Sequence, residues 1–142
     1  MQLASSQIDS IPFSPILCID DEPQVLEGLK LLLGGRYDMH TATDGLQGLQ
    51  AMEKAPYPVV VCDMRMPGMD GSQVLETVAK RWPTTVSILL TGASAYGEST
   101  AGYVPPVFRR LSKPCDPKVL RETIQEALLR HRQLRAAPPP PA

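Results

Sequence analysis

Short, wholly apolar runs alternate along this chain with stretches in which apolar residues recur every three or four positions. The first run, residues 16–19, ends in two acids. Residues 23–33 then place Val25, Leu26, Leu29, Leu32 and Leu33 on one helical face. Asp21 is expected to cap that helix, Pro23 suits its first turn, and Gly34-Gly35 ends it. Residues 37–41 read as a second strand. Asp44-Gly45 opens a second helix with Leu46, Leu49 and Met52 facing inward, stopped by Pro56 and Pro58. Residues 59–62 are apolar throughout, the pattern of a central parallel strand covered on both faces. Pro67-Gly68 and Asp70-Gly71 mark a loop over residues 64–71. Val74, Leu75 and Val78 indicate a third helix ending before Trp82-Pro83. Residues 86–90 and 107–111 read as the fourth and fifth strands, with a short fourth helix between Ser94 and Gly102. A long last helix runs from Pro117 to about Arg135.

Five β-α units in series with short connections imply right-handed crossovers. The fold class is therefore α/β, a five-stranded parallel sheet with helices on both faces. In such sheets chemistry gathers at the carboxyl ends of the strands. The expected division is an N-terminal extension over residues 1–14, one domain over 15–135, and a proline-rich linker or tail over 136–142. The unbroken run Pro138 to Pro141 cannot extend a helix and is expected to be extended and semi-rigid.

Composition narrows the function classes. Of 142 residues, 43% are hydrophobic and 20% charged, enough to bury a core without disulfides or a structural metal. A net charge of -1 gives no general attraction to nucleic acid or anionic membrane. The late basic residues, from Arg109 to Arg135, are interrupted by Asp116, Glu122 and Glu126 and read as a solvated helix face. Cys18, Cys62 and Cys115 form no CxxC pair, and the first two sit in apolar runs, as small buried thiols do. The first 15 residues lack the basic start and apolar stretch of a signal peptide, and no run approaches the roughly 18 apolar residues of a spanning helix. The expectation is a soluble, cytoplasmic domain that itself binds neither nucleic acid nor membrane.

The candidate chemistry lies at the strand ends. The first strand ends in Asp20-Asp21, the third in Asp63, the fourth in Thr91 and the fifth in Lys113-Pro114. Taken singly, such an aspartate is a helix cap, the threonine a turn residue and the lysine a solvated charge. On one edge of a parallel sheet they become three carboxylates, a hydroxyl and an ammonium in one place. Three unpaired carboxylates repel, and a hard divalent cation such as Mg²⁺ relieves this through oxygen ligands. A carboxylate can also act as a nucleophile and form an aspartyl-phosphate.

Four segments carry a resemblance: Ile16-Leu-Cys-Ile-Asp-Asp-Glu-Pro23, Val59-Val-Val-Cys-Asp-Met-Arg-Met-Pro-Gly-Met-Asp-Gly71, Leu89-Leu-Thr-Gly92 and Leu111-Ser-Lys-Pro114. In this order and spacing they resemble the receiver domains of bacterial two-component response regulators, over roughly residues 15–132. The resemblance implies a flavodoxin-like (βα)5 fold and a signalling switch phosphorylated on Asp63. Its implied partner is a sensor histidine kinase or phosphotransfer protein. Asp20, Asp21, Asp63 and the backbone carbonyl of Arg65 match the Mg²⁺ site, with Asp21 expected to touch the metal directly. Thr91 matches the hydroxyl that reorients toward phosphate, Lys113 the lysine that pairs with it, and Lys113–Pro114 is expected to be cis. The family's turnover is confined to its own phosphorylation and slow dephosphorylation. A C-terminal output domain, and a homodimer through the fourth helix, fifth strand and last helix, are further implied. Residues 107–116 also resemble receivers joined to cyclic-di-GMP phosphodiesterase domains.

Two other functions compete. A Mg²⁺-dependent aspartate-nucleophile phosphohydrolase wants a second Asp two residues after the nucleophile, where this chain has Arg65. A non-phosphorylated interaction domain on the same fold usually loses an acid or the lysine, and this chain keeps all of them. One position departs from the receiver pattern: Arg110 stands three residues before Lys113, where the family has an aromatic residue. Arg110 is expected to stay outward, paired with an acid on the last helix or on a partner.

Overall fold

Strand pairing builds a single parallel sheet in the order β2-β1-β3-β4-β5. The computed structural model describes residues 14–92 and 106–136. Its strands are β1 (Pro15–Ile19), β2 (Asp38–Ala42), β3 (Val59–Asp63), β4 (Val86–Thr91) and β5 (Arg109–Ser112). Its helices are α1 (Pro23–Leu33), α2 (Gly45–Lys54), α3 (Gly71–Arg81) and α4 (Pro117–Ala136). The chain steps from β1 outward to β2, then back across β1 to β3 and onward. That reversal places a crevice between the carboxyl ends of β1 and β3.

Strand alternation sorts the apolar side chains into two cores. Ile16, Cys18, Val59, Val61, Ile88 and Leu90 meet α1 and α4 through Leu26, Leu29, Leu33, Leu120, Ile124 and Leu128. Leu17, Ile19, Val60, Cys62 and Leu89 meet α2 and α3 through Met52, Val74, Leu75 and Val78. Each fully buried Leu, Ile or Val contributes about 1.5–3 kcal/mol of transfer free energy. The helix on β1 approaches closely because Gly48 has no side chain: a Cβ there would sit 2.4 Å from Ile19 Cδ1. Asp70 starts α3 with a full capping box, accepting from the Gln73 N–H while the Gln73 side chain takes the Asp70 N–H.

Several sequence expectations shift. Asp21 does not cap α1; Glu22 is the N-cap residue and makes no side-chain cap bond, since Pro23 already removes one orphan donor. Leu46 does not face inward but is 61% exposed. At about 100° per residue, the face that turns Gly45, Gly48 and Met52 to the sheet leaves Leu46 on the flank. Strand β2 begins one residue late because the Tyr37 N–H is taken by the Leu33 carbonyl at the end of α1. Strand β5 starts at Arg109 rather than at residue 107 and runs to Ser112, following its ladder with β4. Cys18 and Cys62 are buried free thiols, and burial pushes Cys18 up to about 12, with the charge of Asp20 adding to it. The expected fourth helix, the N-terminal extension up to residue 13 and the proline run lie outside the described residues. No helix among the described residues is long and apolar enough to cross a membrane.

Candidate functional site

The carboxyl edge of the sheet delivers the predicted side chains to the β1/β3 crevice. Strand β1 hands over Asp20 and Asp21, β3 ends on Asp63, and β4 ends on Thr91. Asp20 is 1% exposed, Asp63 5% and Thr91 3%. Lys113 follows directly on β5. Its backbone N–H donates to the Thr91 carbonyl at 2.8 Å, and the Lys113–Pro114 peptide is cis, as the resemblance implied.

One ammonium bridges two acids. Lys113 Nζ donates to Asp63 Oδ1 at 2.8 Å and to Asp20 Oδ2 at 3.0 Å. Asp20 is braced further: its Oδ1 accepts the Glu22 N–H at 2.9 Å, and its own N–H donates to the Ala42 carbonyl at 3.1 Å. Asp21 completes the group, with one carboxylate oxygen from each of Asp20, Asp21 and Asp63 within 4.8 Å of the others. Ionised, three carboxylates against one ammonium leave a surplus of two negative charges.

The electrostatics carry that surplus. Burial pushes the Asp63 carboxyl above the ordinary carboxylate range, and the charges of Asp20 and Asp21 push the same way, against the hydrogen bond and charge of Lys113. Burial pulls on the Lys113 ammonium in the opposite sense. Its hydrogen bonds to Asp63 and Asp20, with their charges, outweigh that pull, so Lys113 stands above the usual lysine value. Both shifts run in the direction a cluster with excess negative charge imposes, toward the protonated form of each group.

Thr91 shares the edge, but its hydroxyl donates to the Gly92 carbonyl at 3.1 Å rather than into the acid group. Arg65 lies exposed on the loop, two residues beyond Asp63. Sequence reasoning read Asp70-Gly71 only as a turn and so missed a structural requirement. A Cβ on Gly71 would lie 2.3 Å from the Asp63 carbonyl oxygen and 2.8 Å from Met64 Cα, so only glycine lets α3 start against the end of β3. The Gly71 N–H donates to the Met64 carbonyl at 2.8 Å and closes the loop. An acid of the last helix meets Arg109, the neighbour of Arg110. That guanidinium lies 3.6 Å from Glu126 Oε1 and 4.2 Å from the Phe108 ring centroid, while Arg110 is half-buried. Alternation along a strand turns neighbouring side chains to opposite faces, so only one of the two arginines can face α4.

The response regulator receiver domain family matches residues 16–125, and the chain belongs to that family. It is 34% identical over 115 residues to the transcriptional regulatory protein GlrR of Escherichia coli K12, covering 80% of this chain and 26% of GlrR. It is 28% identical to the response regulator protein PilR of Pseudomonas aeruginosa, covering 86% of this chain and 28% of PilR. The chain thus spans about a quarter of the length of these curated relatives. Among solved structures, the signal receiver domain of an HD domain-containing protein from Pseudomonas fluorescens Pf-5 superposes with a TM-score of 0.79 at 30% identity, covering 87% of this chain and 93% of that one. A response regulator receiver domain protein from Clostridium thermocellum gives 0.77 at 30% identity, covering 86% and 99%. The domain is a receiver with a signalling role, on the flavodoxin-like fold the sequence implied.

Proposed function

We propose that the domain accepts a phosphoryl group on Asp63 from a phosphohistidine in a sensor kinase or phosphotransfer protein, and that a hard divalent cation, Mg²⁺, assists. The observation that carries this is the Lys113 ammonium held between Asp63 and Asp20, beside Asp21, at the carboxyl edge of the sheet. The donor set fits the cation: three carboxylates with oxygens within 4.8 Å are hard ligands, and their surplus of two negative charges is what a divalent ion offsets. Asp20, Asp21, Asp63 and the Arg65 carbonyl would hold it, and once bound it would offset charge on the transferring phosphoryl group.

The chain's own residues do the rest. Asp63 Oδ1 is tied to Lys113, which leaves Oδ2 to attack phosphorus. The new O–P bond forms as the N–P bond to the donor imidazole breaks, and the electron pair stays on that imidazole. Lys113 then faces an added dianion and pairs with it, releasing its hold on Asp20. Thr91 can turn its hydroxyl from the Gly92 carbonyl toward the same group. The switch acts on an output domain or partner of the same signalling system, in the reducing cytoplasm. The relatives' names show how varied such outputs are: GlrR is a transcriptional regulatory protein, and a structural neighbour is an adenylate cyclase from Rhodopirellula baltica.

The test is transfer from a phosphohistidine-bearing protein with labelled phosphate. The label should leave the donor and appear on this chain, with the sensitivity to hydroxylamine of an acyl phosphate. Label that stays on the donor in the presence of Mg²⁺, across a panel of such proteins, would contradict the proposal.

A further inference from the structure

Three methionines, Met64, Met66 and Met69, stand between Asp63 and the start of α3. They do not decorate the outside of that loop. Met66 is 8% exposed, Met64 and Met69 are partly buried, and all three join the fully buried Met52 in the core shared by the sheet, α2 and α3. Met69 acts as a pin. Gly45, the first residue of α2, has no side chain, and a Cβ there would lie 3.1 Å from Met69 Cβ, 3.2 Å from its sulfur and 2.7 Å from Val74 Cγ2. Met69 and Val74 therefore fill the notch that this glycine leaves.

The pin is mechanically close to Asp63. Two residues after Met69, Gly71 rests against the Asp63 carbonyl with no room for even a methyl group, and its N–H holds the Met64 carbonyl. Met69 is thus linked through Asp70 and Gly71 to the backbone of the aspartate. Sulfur supplies a way to disturb that link. A hydroperoxide transfers one oxygen to the thioether: an S–O bond forms, the peroxide O–O bond breaks, the sulfur is oxidised by two electrons, and the remaining peroxide oxygen leaves as water or alcohol. The product is larger, polar and chiral, and it would form on a sulfur that packs closely at the Gly45 notch.

We propose that Met69 is an oxidation site through which a hydroperoxide lowers phosphoryl acceptance at the neighbouring aspartate. Met69, like Met64, keeps partial exposure, whereas Met52 is sealed and Met66 nearly so. The functional consequence rests on the phosphoryl-accepting reading above; the structural consequence, a loosened loop over residues 64–71, does not.

The experiment treats the whole chain with hydrogen peroxide and follows each methionine by peptide mass mapping. Met69 should convert about tenfold faster than Met52. The oxidised chain should take phosphoryl from acetyl phosphate with Mg²⁺ about fivefold more slowly, and methionine sulfoxide reductases should restore the rate. Met69→Leu, which conserves volume, should accept at the wild-type rate before and after peroxide. Amide hydrogen exchange over residues 64–71, measured without any phosphodonor, should accelerate on oxidation of wild type and not of Met69→Leu. Where the untreated chain accepts no phosphoryl group, the functional reading has failed and the exchange measurement alone decides for or against the pin. Conversion of Met69 no faster than Met52 would overturn the proposal. So would an unchanged acceptance rate with Met69 fully oxidised, or a Met69→Leu chain as sensitive to peroxide as wild type.

Discussion

Lys113 and Asp63 meet at 2.8 Å although they follow strands that are not neighbours in the sheet, β4 lying between them. The same ammonium reaches Asp20 at 3.0 Å on the far side of β3. One side chain thus spans the carboxyl ends from β5 to β1 and ties the parts of the site together before any phosphate arrives.

Removing that tie should be costly. Lys113→Ala would leave Asp20 and Asp63 buried and facing each other without a counter-charge. A loss of about 1–3 kcal/mol in urea unfolding without divalent cation is expected, below the full cost of breaking a buried pair because the lysine side chain keeps 24% exposure. Stability equal to wild type would mean the bridge is solvated and contributes nothing.

Asp63 should make stability depend on pH in a defined direction. Its folded pKa lies above the ordinary 3.8, so between that value and the raised one the folded chain binds more protons than the unfolded chain. The contribution is fully present below 3.8 and is lost as pH rises through the folded value. Asp63→Asn cannot titrate. Without divalent cation, the melting temperature of wild type should therefore fall relative to Asp63→Asn as pH rises from 3.8. A constant difference across that range would contradict the assignment.

Divalent cation should reverse that loss. At ten times its dissociation constant Mg²⁺ should stabilise wild type by about 1.4 kcal/mol at neutral pH. The gain should shrink on acidification as Asp63 takes up its proton. Asp21→Ala should show little of it. An Asp21→Ala chain stabilised as much as wild type would move the metal elsewhere.

Two glycines make an internal contrast. Gly71→Ala would drive a Cβ into the Asp63 carbonyl and should cost about 1–3 kcal/mol and slow phosphoryl acceptance. Gly28, in the middle of α1, has nothing within 4 Å of an added Cβ, and Gly28→Ala should stabilise by about 0.5–1 kcal/mol. Chemical denaturation of the two variants side by side checks both. A neutral Gly71→Ala would show that α3 can retreat from β3.

The five-stranded parallel sheet and the acid group were legible because both rest on repeats of type and spacing. Wholly apolar segments such as residues 59–62 can only be covered strands, and acids following them must share an edge. What was not legible depends on contacts between segments. Leu46 looks inward by residue type, but its exposure is set by Gly48, which brings α2 against Ile19, and by Gly45, which meets Met69 and Val74. Asp21 has the chemistry of a cap, yet the helix starts at Pro23 and leaves that aspartate to the acid group. Neighbouring Arg109 and Arg110 are alike in sequence, and only the strand's facing toward α4 decides which meets Glu126. The steric demand at Gly71 needs the position of the Asp63 carbonyl, which no local pattern encodes.

The central claim is that Asp63 is the atom-level acceptor. Intact-mass measurement after incubation with acetyl phosphate and Mg²⁺ tests it most directly, with Asp63→Asn as the control. Wild type should gain one phosphoryl group that acid and hydroxylamine remove, and Asp63→Asn should gain none. Equal gain by the Asn variant would place the phosphoryl group on another residue and contradict the claim.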